Sequence, residues 1–248
     1  MALPSVEAFE RAGLKAWPGI EVEWDGSWVR RAAGGYTKRA NSLQCFDPAD
    51  GGDAEARLAA GIEWLGARGV PPVVRTTPLA SPNLNAVLDA WGWAEIDRSH
   101  LYAMVLGEFE PDAQGRITTL LDPRFLAAQQ ALQGHRDELM ARMRALFAAM
   151  AVPAAGIVIE RDGVPVASGL MAIADGIVVT GNVITDDSRR RQGLGAAMMR
   201  TGLAWARTQG ATIAALNVQA DNTAGMALYD SLGYRYQYDY SYRIPEPA

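Results

Sequence analysis

The run Asp186-Asp187-Ser188-Arg189-Arg190-Arg191-Gln192-Gly193-Leu194-Gly195-Ala196 sets an Arg-x-x-Gly-x-Gly core, Arg190 to Gly195, between a strand-like and a helix-like segment. Such a loop suits an anion. Gly193 and Gly195 carry no side chain that would keep backbone N–H groups from a phosphate. A helix starting there presents unpaired N–H donors and the positive end of its dipole. Three successive arginines supply full charges. Taken alone, the loop fits a solvated arginine-rich turn equally well. It lacks the Gly-Lys-Ser/Thr of a Walker loop and the Gly-x-Gly-x-x-Gly of a dinucleotide fold. Other catalytic equipment is sparse: one cysteine, Cys45, and two histidines, His100 and His135, exclude an intrachain disulfide and a Cys/His zinc cluster.

The elements that must hold this loop occur twice in the 248 residues. Asp-Gly pairs mark two hairpins, Glu21 to Val29 and Ile157 to Val166, because tight hairpin turns need positive φ. Third strands follow, at about Tyr36 to Phe46 and Ile177 to Thr185. Amphipathic helices then run from Ala54 to Arg68, ending at Gly69, and from Leu194 to Gln209, ending at Gly210. Each half closes with a short strand, a helix and a Gly-aromatic corner, at Gly92-Trp93 and at Gly233-Tyr234. Gly69 and Gly210 are 141 positions apart, as are Gly92 and Gly233. This predicts an internal duplication of a βββαβαβ unit. The fold class is α/β (α+β): two modules, each a mixed, mostly antiparallel sheet flanked by helices. The expected boundaries are 1–110, a polar linker over 111–121, and 122–248. Asp122-Pro123 opens a helical segment to about Met150, broken near Gly134.

Composition narrows the class. Hydrophobic residues make up 49% and charged residues 21%, which is globular rather than disordered. A net charge of −5 gives no basic field for nucleic acid or anionic lipid. No apolar run approaches a membrane span, and the N-terminal residues lack a secretory pattern, so a cytoplasmic protein is expected.

The loop is followed by Asn222-x-x-Gly225-x-x-Leu228-Tyr229-x-x-Leu232-Gly233-Tyr234. Together the two motifs resemble the GNAT superfamily of acyl-CoA-dependent N-acetyltransferases in type, order and spacing. Gly225 stands where that family usually has Ala. The motifs cover about Ile157 to Arg243, and the duplication extends the likeness over most of the chain.

The resemblance implies an enzyme that moves an acetyl group from acetyl-CoA to a primary amine of a small molecule or peptide, in a ternary complex and without a metal. Val183, Ile184 and Thr185 would pair with the pantetheine arm, the Val183 N–H meeting the thioester carbonyl. Arg190, Arg191, Gln192, Gly193, Leu194, Gly195 and Ala196 would hold the pyrophosphate. Asn222 would contact the CoA arm, and Tyr229 would protonate the departing thiolate. By its residues alone Tyr229 is also a core aromatic. Glu160, Asn217 and Gln219 are nearby by topology, without one of them standing out as the base. A CoA-binding regulatory protein without turnover, or a transferase using another acyl-CoA, is the alternative reading.

In the first half, Leu88 stands in the place of Tyr229, Ser81 of Asn222 and Ala49 of Arg190, and the loop shrinks to the acidic Asp50-Gly51-Gly52-Asp53. That copy is expected to keep the scaffold without the chemistry, completing a pseudo-dimer as a monomer or within a homodimer. Gly34 to Ser42 is read as a polar strand with Arg39 and Asn41 on one face, either a charged edge or an acceptor surface. Tyr234, Tyr236, Tyr238, Tyr240 and Tyr242 alternate and are expected on one strand face.

Overall fold

Ser5 opens the first helix, α1 (Val6–Ala16), its hydroxyl accepting from the Ala8 amide at 3.3 Å. In the computed structural model, which describes residues 2–246, a hairpin follows: β1 (Glu21–Asp25) and β2 (Trp28–Ala32). It turns at Gly26, where φ is +58°. β3 (Leu43–Cys45), α2 (Ala54–Gly66), β4 (Val74–Thr76), α3 (Pro82–Ala90) and β5 (Ala94–Val105) complete the first half. The second half adds β6 (Gly115–Thr118), α4 (Pro123–Gln133), α5 (Asp137–Ala148), β7 (Ala154–Arg161), β8 (Val164–Ala174) and β9 (Ile177–Thr185). It ends with α6 (Leu194–Thr208), β10 (Ile213–Gln219), α7 (Thr223–Ser231) and β11 (Arg235–Ile244). The break at Gly134 has φ +65°, and Asp122 caps α4 by accepting from the Arg124 amide at 2.8 Å. β6 lies inside the 111–121 stretch and pairs antiparallel with β7.

The eleven strands among the described residues join one sheet, in the order β1-β2-β3-β4-β11-β5-β10-β9-β8-β7-β6. The final strands of the two halves have changed places. β11 pairs with β4 of the first half, and β5 pairs with β10 of the second. Between them β5 and β11 run antiparallel, with Ser99 opposite Tyr240, two positions 141 apart. A residue paired with its own repeat marks the pseudo-twofold axis. Each half therefore completes its sheet with the other's last strand.

Two apolar layers cover the second-half strands. On one face α1, α4 and α5 bury Phe9, Phe125, Leu146 and Phe147 against Leu170, Val179 and Ala215. On the other, Met198, Leu203 and Tyr229 of α6 and α7 pack on Ile157, Val178 and Leu216. A separate core of Trp28, Leu58, Leu84 and Leu88 lies under α2 and α3. The sheet side of the first layer leaves no room at Gly156. A Cβ there would stand 2.4 and 2.5 Å from Phe125 ring atoms, and Phe125 is fully buried. We expect Gly156→Ala to destabilise the fold by about 1–3 kcal/mol, read as a lowered urea midpoint with unchanged slope.

Two expectations fail here. Residues 36–42 are not a strand: Lys38–Ala40 is a short 3-10 turn, and β3 is only Leu43–Cys45. Asn41 is the reason. Its Oδ1 accepts from the Ala33 and Gly35 amides at 2.7 and 2.9 Å, and its Nδ2 donates to the Tyr36 and Thr37 carbonyls at 2.9 and 2.8 Å. That buried side chain ties a loop shut, so it shares no strand face with Arg39. The five tyrosines are also not on one face. Tyr236 pairs with Tyr102 and Tyr238 with Leu101, so an extra residue, Gln237, bulges between them and reverses the alternation. Tyr236 stays exposed beside Tyr102 on the α6 side, whereas Tyr238 is buried on the α1 side.

Candidate active site

β9 and β10 run parallel from Ile177 opposite Ile213 to Thr180 opposite Leu216 and then part. Beyond that point residues 181–185 and 217–219 have no partner across the gap, leaving a wedge open between two strands of the sheet. A bulge starts it. Leu170 faces Gly181 but Ser168 faces Ile184, so β9 carries one residue too many, and Asn182 takes φ +50°. Gly181 to Thr185 are all half-buried. Val183 follows the bulge and packs with the α6–α7 core that holds Tyr229.

The glycine loop sits at the mouth of the same wedge. Gly193, at φ +74°, is the N-cap of α6 and gives no side-chain cap to its amides. A Cβ at Gly193 would meet nothing within 4 Å, so the approach to these donors is open. A Cβ at Gly195 would lie 3.1 Å from Leu228 and 3.5 Å from the Thr185 hydroxyl oxygen, which packs the loop against the end of β9 and α7. Arg190, Arg191 and Gln192 are exposed, Leu194 is buried, and Ala196 is half-buried. Arg190 pairs with Asp187 at 2.6 Å, both largely in solvent, a contact of little energetic weight. An uncapped helix start, a clear approach and adjacent arginines fit a pyrophosphate. The two open strand edges fit an extended arm that pairs through its amides.

Asn222 caps α7, its Oδ1 accepting from the Gly225 amide at 2.8 Å. The glycine at 225 suits this cap, since a Cβ would approach the Asn222 amide to 2.7 Å. Tyr229 is buried, its ring 6.0 Å from that of Tyr234. Burial pushes its pKa up to about 12. Of the three residues expected near the reaction, Glu160 lies elsewhere: it is on β7, two strands away, held by Arg116 at 2.9 Å. Asn217 and Gln219 do line the wedge, and the Asn217 Oδ1 is buried without a partner among the described residues.

The first half reaches the wedge from the α1 side, where sequence reasoning placed little. The Asn182 Nδ2 donates to the Tyr36 hydroxyl at 3.0 Å, and the Trp17 Nε1 donates to the Thr37 hydroxyl at 2.8 Å. These contacts border an open cleft of about 300 Å³, lined by Trp17, Lys38, Arg39, Asn182, Gln219 and Tyr240 among others. A pattern in local sequence could not have found Trp17 or Tyr36, since Tyr36 meets Asn182 146 positions away and Trp17 stands beside Gly181 of the other half. In the reduced loop, Asp50 accepts from the Ser27 amide and from Arg57, at 2.9 and 2.7 Å. Those partners hold its carboxyl far below the usual range, so the first copy keeps a fixed negative charge where an anion would sit. Among the described residues no group of three or more His, Cys, Asp or Glu could hold a metal, and no helix is long and apolar enough to cross a membrane.

Comparison with known proteins gives a consistent result. A family model described as probable histone acetyltransferase Rv0428c, C-terminal, matches residues 4–243. The uncharacterized N-acetyltransferase YobR of Bacillus subtilis is 22% identical over 248 residues, 98% of this chain and 99% of its own. A GCN5-related N-acetyltransferase from Kribbella flavida superposes with a TM-score of 0.71 at 23% identity, covering 100% of this chain and 98% of that one. A tandem GNAT protein from the clavulanic acid biosynthesis pathway superposes with a TM-score of 0.65 at 13% identity, over 100% and 90% of the two chains.

Proposed function

The chain belongs to the Rv0428c C-terminal family of GNAT-fold acetyltransferases, and on that premise we propose that it moves an acetyl group from acetyl-CoA to a primary amine within a ternary complex. The observation that carries this reading is the wedge between β9 and β10, with the uncapped start of α6 at its mouth. Acetyl-CoA would lay its pantetheine arm along Val183, Ile184 and Thr185. Its pyrophosphate would meet the amides of Arg191 to Ala196 and the charge of Arg190. Asn222, fixed as a helix cap, would border the arm. The amine forms a C–N bond to the thioester carbon, and the Val183 N–H stabilises the oxyanion as the C–S bond breaks. The thiolate takes a proton from Tyr229, and the amine releases one to solvent. Asn217 and Gln219 are amides and cannot serve as the base. The same proposal places turnover in residues 122–248, and has residues 1–110 complete the fold and wall the acceptor pocket, in a cytoplasmic protein.

Calorimetry with acetyl-CoA, followed by an amine panel read through released thiol, tests the proposal. Absence of acetyl-CoA binding sinks it, and binding without thiol release from any amine makes the chain a CoA-binding module instead. Tyr229→Phe removes one hydroxyl and keeps the ring, so packing should survive. Turnover should fall about 100-fold while acetyl-CoA affinity changes little. With its pKa near 12, Tyr229 stays protonated, and the wild-type rate should show no alkaline fall up to about pH 10.

A further inference from the structure

Beneath α1 a second, narrow cleft, with room for no more than a water or two or the oxygens of one carboxylate, runs along the sheet from Arg31 on β2 to Asn217 on β10. Its polar walls do not balance. Arg31 and Arg75 are 1% and 4% exposed, Arg39 is half-buried, and the one carboxylate among them is Glu10. Glu10 is fully engaged: Arg75 donates to it at 2.8 Å, Gln44 at 2.8 Å and the Tyr238 hydroxyl at 2.7 Å. What remains is an excess of cationic donors. Arg31 Nε, Arg39 Nε and Arg75 Nη1 are buried with no hydrogen-bond partner among the described residues. Arg31 reaches only Ser42 and Gln44, at 3.4 and 3.3 Å. Burial, with Arg75 close by, brings its pKa down to about 10. Lys38 brings no further charge, being paired with Asp97 at 2.8 Å. Buried guanidinium nitrogens left without an acceptor are costly, and one anionic group could satisfy all three.

The position of the cleft says what that group is. Leu216 and Asn217, at the root of the wedge, line it, and Arg39 lines both this cleft and the one that holds Asn182 and Gln219. Resting on the acetyltransferase reading above, we propose that the acceptor is a small amino carboxylate. Only its carboxylate enters the narrow cleft, docking on Arg31, Arg39 and Arg75, while the rest of the molecule lies in the wider cleft that Arg39 also lines, with its amine at the wedge on the side of the orphaned Asn217 Oδ1. A planar carboxylate matches forked guanidinium donors in a narrow site. The lysine side chain of a basic peptide does not, because like charge faces it from three sides.

The test uses the whole chain saturated with CoA and a calorimetric panel of amino acids from glycine to glutamate, each beside its carboxamide, with a lysine-rich basic peptide as control. At least one amino carboxylate should bind, about 10- to 100-fold tighter than its carboxamide. Arg39→Gln, at a half-exposed position that should fold, should bring the two within about threefold. Equal binding of carboxamides, preference for the basic peptide, or no binding by any amino acid overturns the proposal. Acetyl-CoA binding is measured separately. Its absence, with carboxylate preference intact, would remove the acetyltransferase reading and leave the pocket standing.

Discussion

Glu10→Ala is expected to cost about 3–5 kcal/mol of stability, the usual result of stripping the counter-charge from a buried ion pair. Glu10 and Arg75 are each 4% exposed, and their side chains meet at 2.8 Å. Removing the carboxylate leaves Arg75 beside Arg31 with nothing anionic, and leaves the Tyr238 hydroxyl and Gln44 amide without their acceptor. The pH dependence follows. Burial pushes the Glu10 pKa up, but the Arg75 charge and the hydrogen bonds from Arg75, Tyr238 and Gln44 outweigh it and hold the group below its ordinary value. A depressed carboxyl contributes stability that is present above the unfolded-state pKa and lost as pH falls through the folded one. Wild-type stability measured by urea titration should therefore decline below about pH 4.5, the unfolded-state range for a glutamate. Glu10→Gln should flatten part of that decline. An unchanged midpoint in Glu10→Ala would show that the arginines have other compensation.

The second large effect is on the donor. Gly193→Glu should weaken acetyl-CoA binding about 100-fold or more, by the loss of charge-assisted contacts to phosphate. Two causes add. Gly193 sits at φ +74°, where a side-chain-bearing residue is strained by roughly 1–2 kcal/mol and the loop is pulled from its shape. The new carboxylate would also stand at the start of α6, facing the anion that the helix end attracts. Because a Cβ at 193 meets nothing within 4 Å, the fold should tolerate the change, and the melting temperature without ligand should move by only a few degrees. Undiminished binding in calorimetry would mean that the pyrophosphate is held elsewhere.

How far each feature could be read in the sequence depends on the range of the interaction behind it. The Asp-Gly hairpins, the Asp122 cap, the Gly134 break and the uncapped loop at Gly193 are local, decided by φ preferences and near-neighbour hydrogen bonds, and they lie where the spacing put them. The polar stretch 36–42 misled because Asn41 competes for backbone groups within eight residues, as a short amide side chain can, and folds the segment into a loop. The tyrosine ladder misled because alternation predicts a face only in a strand without bulges.

The duplication, the fold class and the glycine turn that starts α6 are legible in the sequence, since repeats and turn chemistry are written in consecutive residues. Only the tertiary structure decided which strand lies beside which. Two modules of like topology offer their last strands similar partners, and local propensity does not choose between pairing at home and pairing across the pseudo-twofold axis. That exchange lets Trp17, Tyr36, Arg39 and Arg75 of the first half reach Asn182 and Asn217 of the second, and so assembles the cationic cleft. Arg31, Arg39 and Arg75 look like ordinary surface charges in the chain. Burial under α1 with a single carboxylate is what sets them apart and underlies the proposed carboxylate site.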